Sequence, residues 1–185
     1  MRTARFVGAV VMASFCGLAA AKGLVVNQTV AEDEVLAAQQ AWCKALIDIG
    51  STYERDGHDA AKRLAENVID SAYGYQMGAV LFKPTLTMSP QTFRTTRAGA
   101  LSYFVGKDPA FPKDTGFALK GWKKCEVDNA AIFLEGDSAT TMGKVHFTGK
   151  DEKLTSVDKT WQFVKDPGGK LRIMVHHSSL EFTGE

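Results

Sequence analysis

The run RIMVHHSSLEF, residues 172–182, sets two adjacent imidazoles before two adjacent hydroxyls. Such residues serve a metal site, a base beside a nucleophile, or a hydrolase centre. In an extended segment, neighbouring side chains point to opposite faces. His176 and His177 can therefore share a metal only if a bulge separates them. One face carries Leu171, Ile173, Val175, His177 and Ser179; the other carries Arg172, Met174, His176, Ser178 and Leu180. Ser178 points away from His177, and Ser179 shares its face but lies on no nucleophile elbow.

Further residues could work beside this run. In Asp158-Lys159-Thr160-Trp161, Asp158 and Thr160 share one face, with Lys159 and Trp161 on the other. Asp158 facing a hollow near His177 would make an acid–base dyad; on an exposed face it would be a cross-strand ion pair. Arg94 and Arg97, in TFRTTRAGALSYF, could fork onto a carboxylate or phosphate, or form salt bridges around a helix start. Trp42, Tyr73, Phe82 and Tyr103 could line a pocket for a flat ligand, or simply fill a core. No metal site or cofactor is expected. Without a CxxC pair, Cys43 and Cys125 do not suggest structural zinc.

The elements that must position these residues are legible from periodicity. Thr29-Val30-Ala31-Glu32 has the form of a capping box. Val35, Ala38, Trp42, Leu46, Ile49 and Tyr53 then recur at helical spacing up to Gly57. A second helix is predicted over 58–73, a short strand at AVLFKPT (79–85), and a third helix over about 96–105. Beyond Phe117, strands are predicted at 117–127, 130–135, 139–148, 154–165 and 170–180, separated by EGD, TGKDEK and DPGG turns. Helices followed by an antiparallel meander define an α+β domain.

The chain has 185 residues, 45% hydrophobic and 23% charged, which suits one globular domain. A net charge of +1 gives no electrostatic reason to expect nucleic acid as a partner. MRTAR followed by an apolar stretch and Ala19-Ala20-Ala21 reads as a signal peptide over 1–21, cleaved before Lys22. Residues 22–29 are then a linker and 30–182 the domain. The expected location is secreted or periplasmic, with no membrane association after cleavage. In an oxidising compartment Cys43 and Cys125 could form a disulfide; two buried thiols are the alternative.

Residues 160–179, TWQFVKDPGGKLRIMVHHSS, resemble the C-terminal hairpin of the nuclear transport factor 2-like (SnoaL-like) superfamily. The nearest branch comprises the association domain of calcium/calmodulin-dependent protein kinase II and its bacterial relatives. Trp161, the DPGGK turn and His177-Ser178-Ser179 fit the pattern, whereas Val175 replaces an earlier histidine. The resemblance spans about residues 30–182. It implies a cone-like fold, three N-terminal helices on a strongly curved antiparallel sheet, and commonly a homodimer through the sheet. It also implies that His177, with Ser179 on its face, looks into the cone. Phosphoribosyl-AMP cyclohydrolase, a name attached to bacterial relatives, needs a thiolate, imidazole and carboxylate cluster that this sequence lacks. The leading expectation is a pocket for a small, anionic molecule without catalysis. The alternatives are a cofactor-free acid–base enzyme using Asp158 and His177, and an assembly domain.

Overall fold

The computed structural model describes residues 28–184; the signal-peptide assignment, and most of the linker, lie outside the described residues. Helix α1 spans Glu32–Asp56 and α2 spans His58–Ala72. Strand β1 (Leu81–Lys83), helix α3 (Arg97–Val105) and a 3-10 turn (Phe117–Leu119) follow. Four long strands complete the domain: β2 (Lys124–Glu135), β3 (Ser138–Thr148), β4 (Leu154–Lys165) and β5 (Leu171–Leu180).

The capping box of helix α1 falls two residues later than expected, with Ala31 in place of Thr29 as its N-cap. Glu34, not Glu32, reaches back to accept the Ala31 N–H at 2.9 Å, and Glu32, Asp33 and Glu34 complement the helix dipole. Gly57, at φ 83°, turns the chain between α1 and α2 in a conformation that side chains with a Cβ resist.

The sheet order is β1-β5-β4-β3-β2. The meander β2 to β5 is antiparallel, but β1 runs parallel to β5, pairing Phe82 with His176. The expected antiparallel meander thus forms four of the five strands, and β1, added parallel at the edge, makes the sheet mixed. The segment 79–85 follows a helix and crosses over to join β5 at the edge, so it arrives in β5's own direction. The two strands expected at 117–127 and 130–135 are one strand from Lys124, preceded by the 3-10 turn. A bulge at Ala130 interrupts its pairing with β3.

The helices cover one face of the sheet, and the core lies between them. Val35, Trp42, Leu46 and Ile49 from α1 meet Val145, Phe147, Trp161 and Phe163 from the strands. Gln39, buried on the same helix, exchanges two hydrogen bonds with Asn129 beside the β2 bulge and donates to Thr141. A disulfide joins Cys43 on α1 to Cys125 on β2, with Cα atoms 5.3 Å apart. These ties hold α1 over the concave side and leave the other sheet face outward.

Candidate functional site

Strand β5 decides which polar groups enter the cone. Gln162 pairs with Val175 but Phe163 pairs with Ile173, so Met174 is an extra, unpaired residue. A bulge of this kind inverts the alternation beyond it. Ile173 points inward as expected, but after Met174 the buried residues are His176 and Ser178. His177 is exposed and Ser179 turns outward with it, which corrects their expected interior placement. The bulge sits where the exit of α2 docks: Gly74 donates its N–H to Ile173 O at 3.1 Å, and Met174 packs over Gly74.

His176 lies in a sandwich of rings. Phe82 stacks on it at 4.3 Å between centroids, and Trp42 meets it edge-on at 5.4 Å. Both its nitrogens are engaged: Nδ1 lies 2.9 Å from the Tyr73 hydroxyl, and Nε2 lies 2.7 Å from Lys159 Nζ. The Trp42 indole donates to the same Tyr73 oxygen at 2.9 Å. Trp42, Tyr73, His176 and Lys159 thus form one buried hydrogen-bonded row drawn from α1, the end of α2, β5 and β4. Desolvation is the main reason the His176 pKa lies well below its ordinary value, with the charges of Lys159 and His177 adding to it. Burial likewise raises the Tyr73 phenol well above its ordinary value. At neutral pH the row therefore offers a neutral imidazole and a neutral phenol.

Two residues along β5, Ser178 begins a second cluster. Its hydroxyl lies 2.5 Å from Thr85 Oγ1 in the segment after β1, and the Tyr103 phenol of α3 lies beside Leu86 and Thr85. Burial pushes the Tyr103 phenol pKa upward, so it too remains a donor. Phe82 and Tyr103 meet edge to face at 5.6 Å between the two clusters. The arrangement sets hydroxyl and imidazole groups among aromatic rings inside the cone. These are groups that can exchange hydrogen bonds and pass protons between neutral forms.

Of the residues expected in a pocket, the structure brings Trp42, Tyr73, Phe82 and Tyr103 together inside the cone. Arg94 is held by Asp114 at 2.7 Å, with its guanidinium over Phe111, and Arg97 pairs with Asp70 of α2 at 2.5 Å. Both arginines brace loops and helices and do not join the row. Asp158 lies on the outer sheet face beside Lys144 at 3.2 Å, with His177 and Ser179 lining the same shallow depression. Thr160, not Asp158, is the register partner of His177. Sequence reasoning missed Lys159, His176, Ser178 and Thr85. For Lys159 the signal was present, because a tryptophan at 161 that belongs to the core carries Lys159 inward with it. Among the described residues, no group of three or more His, Cys, Asp and Glu side chains could hold a metal ion.

Three helices laid over the concave side of a curved sheet, with polar groups gathered inside, define a cone-shaped α+β domain with the nuclear transport factor 2-like fold. A calcium/calmodulin-dependent protein kinase II association-domain protein from Xanthomonas campestris shares this fold, with a TM-score of 0.51 at 22% identity over 86% of this chain and 97% of that one. Residues 33–180 match the family described as metal-independent carbonic anhydrase, and the chain belongs to that family. A metal-independent carbonic anhydrase from Nostoc sp. (strain PCC 7120 / SAG 25.82 / UTEX 2576) is 64% identical over 158 residues, 85% of this chain and 77% of that protein. The crystal structure of an iota-carbonic anhydrase from a cyanobacterium, complexed with bicarbonate, matches with a TM-score of 0.86 at 62% identity. It covers 89% of this chain and 100% of that one.

Proposed function

We propose that this protein catalyses the reversible hydration of carbon dioxide to bicarbonate inside the cone, using hydrogen-bonding side chains in place of a metal. The observation that carries this reading is the placing of His176 and Ser178 together on the buried face of β5, with Thr85 against Ser178, in a chain 62% identical to a protein crystallised with bicarbonate. Bicarbonate is a small planar anion with three oxygens. Hydroxyl donors set in a low-dielectric wall match it and strengthen as charge develops during attack of water on carbon dioxide. Phe82 and Trp42 supply the apolar surface suited to the uncharged gas.

The test is carbon dioxide hydration followed by stopped-flow with a pH indicator, on protein pretreated with a strong chelator. Turnover above the buffer rate, unchanged by chelation, is expected, with Ser178→Ala and Thr85→Val each lowering kcat/KM by about tenfold, the equivalent of one lost hydrogen bond of about 1.4 kcal/mol. Wild-type protein that binds bicarbonate but never exceeds the buffer rate would refute the enzymatic reading and leave an anion-binding protein.

We also propose export to an oxidising compartment and a homodimer through the outer sheet face. The Cys43–Cys125 disulfide and the leader-like residues 1–21 support the first. The exposed Met142 on that face supports the second, alongside the Lys144–Asp158 pair. N-terminal sequencing of secreted protein and sedimentation analysis test them in turn.

A further inference from the structure

Lysines buried in proteins almost always keep a carboxylate beside them. Lys159 is 4% exposed, and among the described residues no carboxylate pairs with it: desolvation draws its pKa down to about 7. Its amine lies 4.9 Å from the Trp42 ring and 5.2 Å from the Trp161 ring, surfaces that accept an ammonium or a free amine. From β3 it faces Gly143, and from β5 Ser178 is its register partner. The titratable groups of its row are His176 on β5 and Tyr73 at the end of α2, while His177 acts on His176 from the outer face.

The row has two self-consistent polarities. With Lys159 neutral, Trp42 donates to Tyr73, Tyr73 donates to Nδ1 of His176, and Nε2–H donates to the lysine nitrogen. An ammonium has no acceptor. With Lys159 charged, it must donate to Nε2, so the histidine proton sits on Nδ1 and is donated to the Tyr73 oxygen. The phenolic hydrogen is then released from His176 and free to turn to another acceptor.

We propose that Lys159 is a positioning residue that stores the proton released by carbon dioxide hydration, acting through His176 and Tyr73 and reversing the polarity of the row as it does so. This rests on the hydration reading above. In the forward step, the oxygen of water forms a bond to the carbon of carbon dioxide and one water O–H bond breaks. With the reacting water set against the Tyr73 hydroxyl as part of this proposal, that proton passes to the Tyr73 oxygen as the phenolic proton moves to Nδ1 and the Nε2 proton moves to the amine. The products are bicarbonate and a lysine ammonium, so charge and atoms balance. Buffer takes the stored proton in the return step.

Wild type, Lys159→Met and Lys159→Gln would be compared by hydration kinetics across pH, with nitrogen NMR of the His176 imidazole. Glutamine keeps a donor and an acceptor near Nε2 but cannot titrate, and it serves if the methionine variant fails to fold. In wild type, kcat for hydration is expected to rise with pH through an inflection near 7, while Nε2 changes from acceptor to N–H over the same range. Both variants are expected to lose the inflection and at least about tenfold in kcat, with KM for carbon dioxide held within about twofold and added imidazole restoring turnover. Variants that keep the wild-type inflection, or a wild-type His176 whose tautomer ignores pH, would overturn the inference. An inactive wild type would instead defeat the hydration reading, while the NMR switch would still report on Lys159.

Discussion

Replacing Lys159 by methionine is expected to stabilise the protein at neutral pH and destabilise it at alkaline pH. Methionine keeps an unbranched stem between the Trp42 and Trp161 rings but removes the ionisable end. The amine falls from an ordinary pKa of 10.5 to about 7 in the folded protein. Between those values the unfolded chain binds a proton that the folded one does not, so wild-type stability rises with pH across that window. Integrated, the burden of Lys159 is about 4 kcal/mol at pH 7, about 2 kcal/mol at pH 9 and negligible well above pH 10.5. Against this, the variant leaves Nε2 of His176 without its partner, a cost of roughly 1–3 kcal/mol at any pH.

The difference is a net gain of roughly 1–3 kcal/mol for Lys159→Met at pH 7, a crossing near pH 9, and a loss of similar size at the alkaline end. Urea unfolding of both proteins at several pH values, with the disulfide intact, reads this directly as a change in midpoint at constant slope. A variant less stable than wild type at pH 7, or a difference that does not move with pH, would refute the claim that the amine is desolvated.

Three further outcomes are expected. Cys43→Ala/Cys125→Ala opens a link between residues 82 apart and should cost roughly 4–5 kcal/mol by the loop-entropy estimate, seen as a lowered Tm that reductant no longer affects. Gly143→Ala should destabilise by at least about 2 kcal/mol, because the added Cβ would overlap Asp128 O and lie 2.8 Å from Asn129 Cα, both backbone atoms at the β2 bulge; chemical denaturation measures it. Because the folded His176 pKa lies well below 6.5, the unfolded chain alone takes up its proton as pH falls past that value, so stability should decline on acidification. His176→Phe should flatten that decline in thermal scans between pH 7 and 5.

Much of the fold follows from periodicity. The apolar stripe from Val35 to Tyr53 specifies α1, and alternation gives β3 and β4 to within a residue or two. What periodicity cannot carry is partnership. Nothing in AVLFKPT distinguishes an edge strand parallel to β5 from another arm of the meander, since that depends on how the chain returns from α2. The faces of β4 were legible because Asp158 and Thr160 alternate strictly with Lys159 and Trp161. Those of β5 were legible only as far as Ile173. The bulge at Met174 depends on Gly74, a hundred residues away in sequence.

That single extra residue fixes which chemistry the cone acquires. Had pairing continued without it from Phe163 opposite Ile173, Trp161 would face Val175, and His177 would stand opposite Lys159 with Ser179 two pairs further on, opposite Val157. With the bulge, His176 stands opposite Trp161 and pairs through β1 with Phe82, while Ser178 takes the place opposite Lys159. The imidazole therefore meets the lysine diagonally, leaving its other nitrogen free for Tyr73, and the serine arrives beside Thr85. A histidine directly opposite Lys159 would have been displaced from the Phe82 register and from the ring stack that encloses it. The doublet in the VHHSS run thus divides its work by parity. His176 belongs to the buried row, where desolvation above all keeps its imidazole neutral, and His177 stays on the outer face.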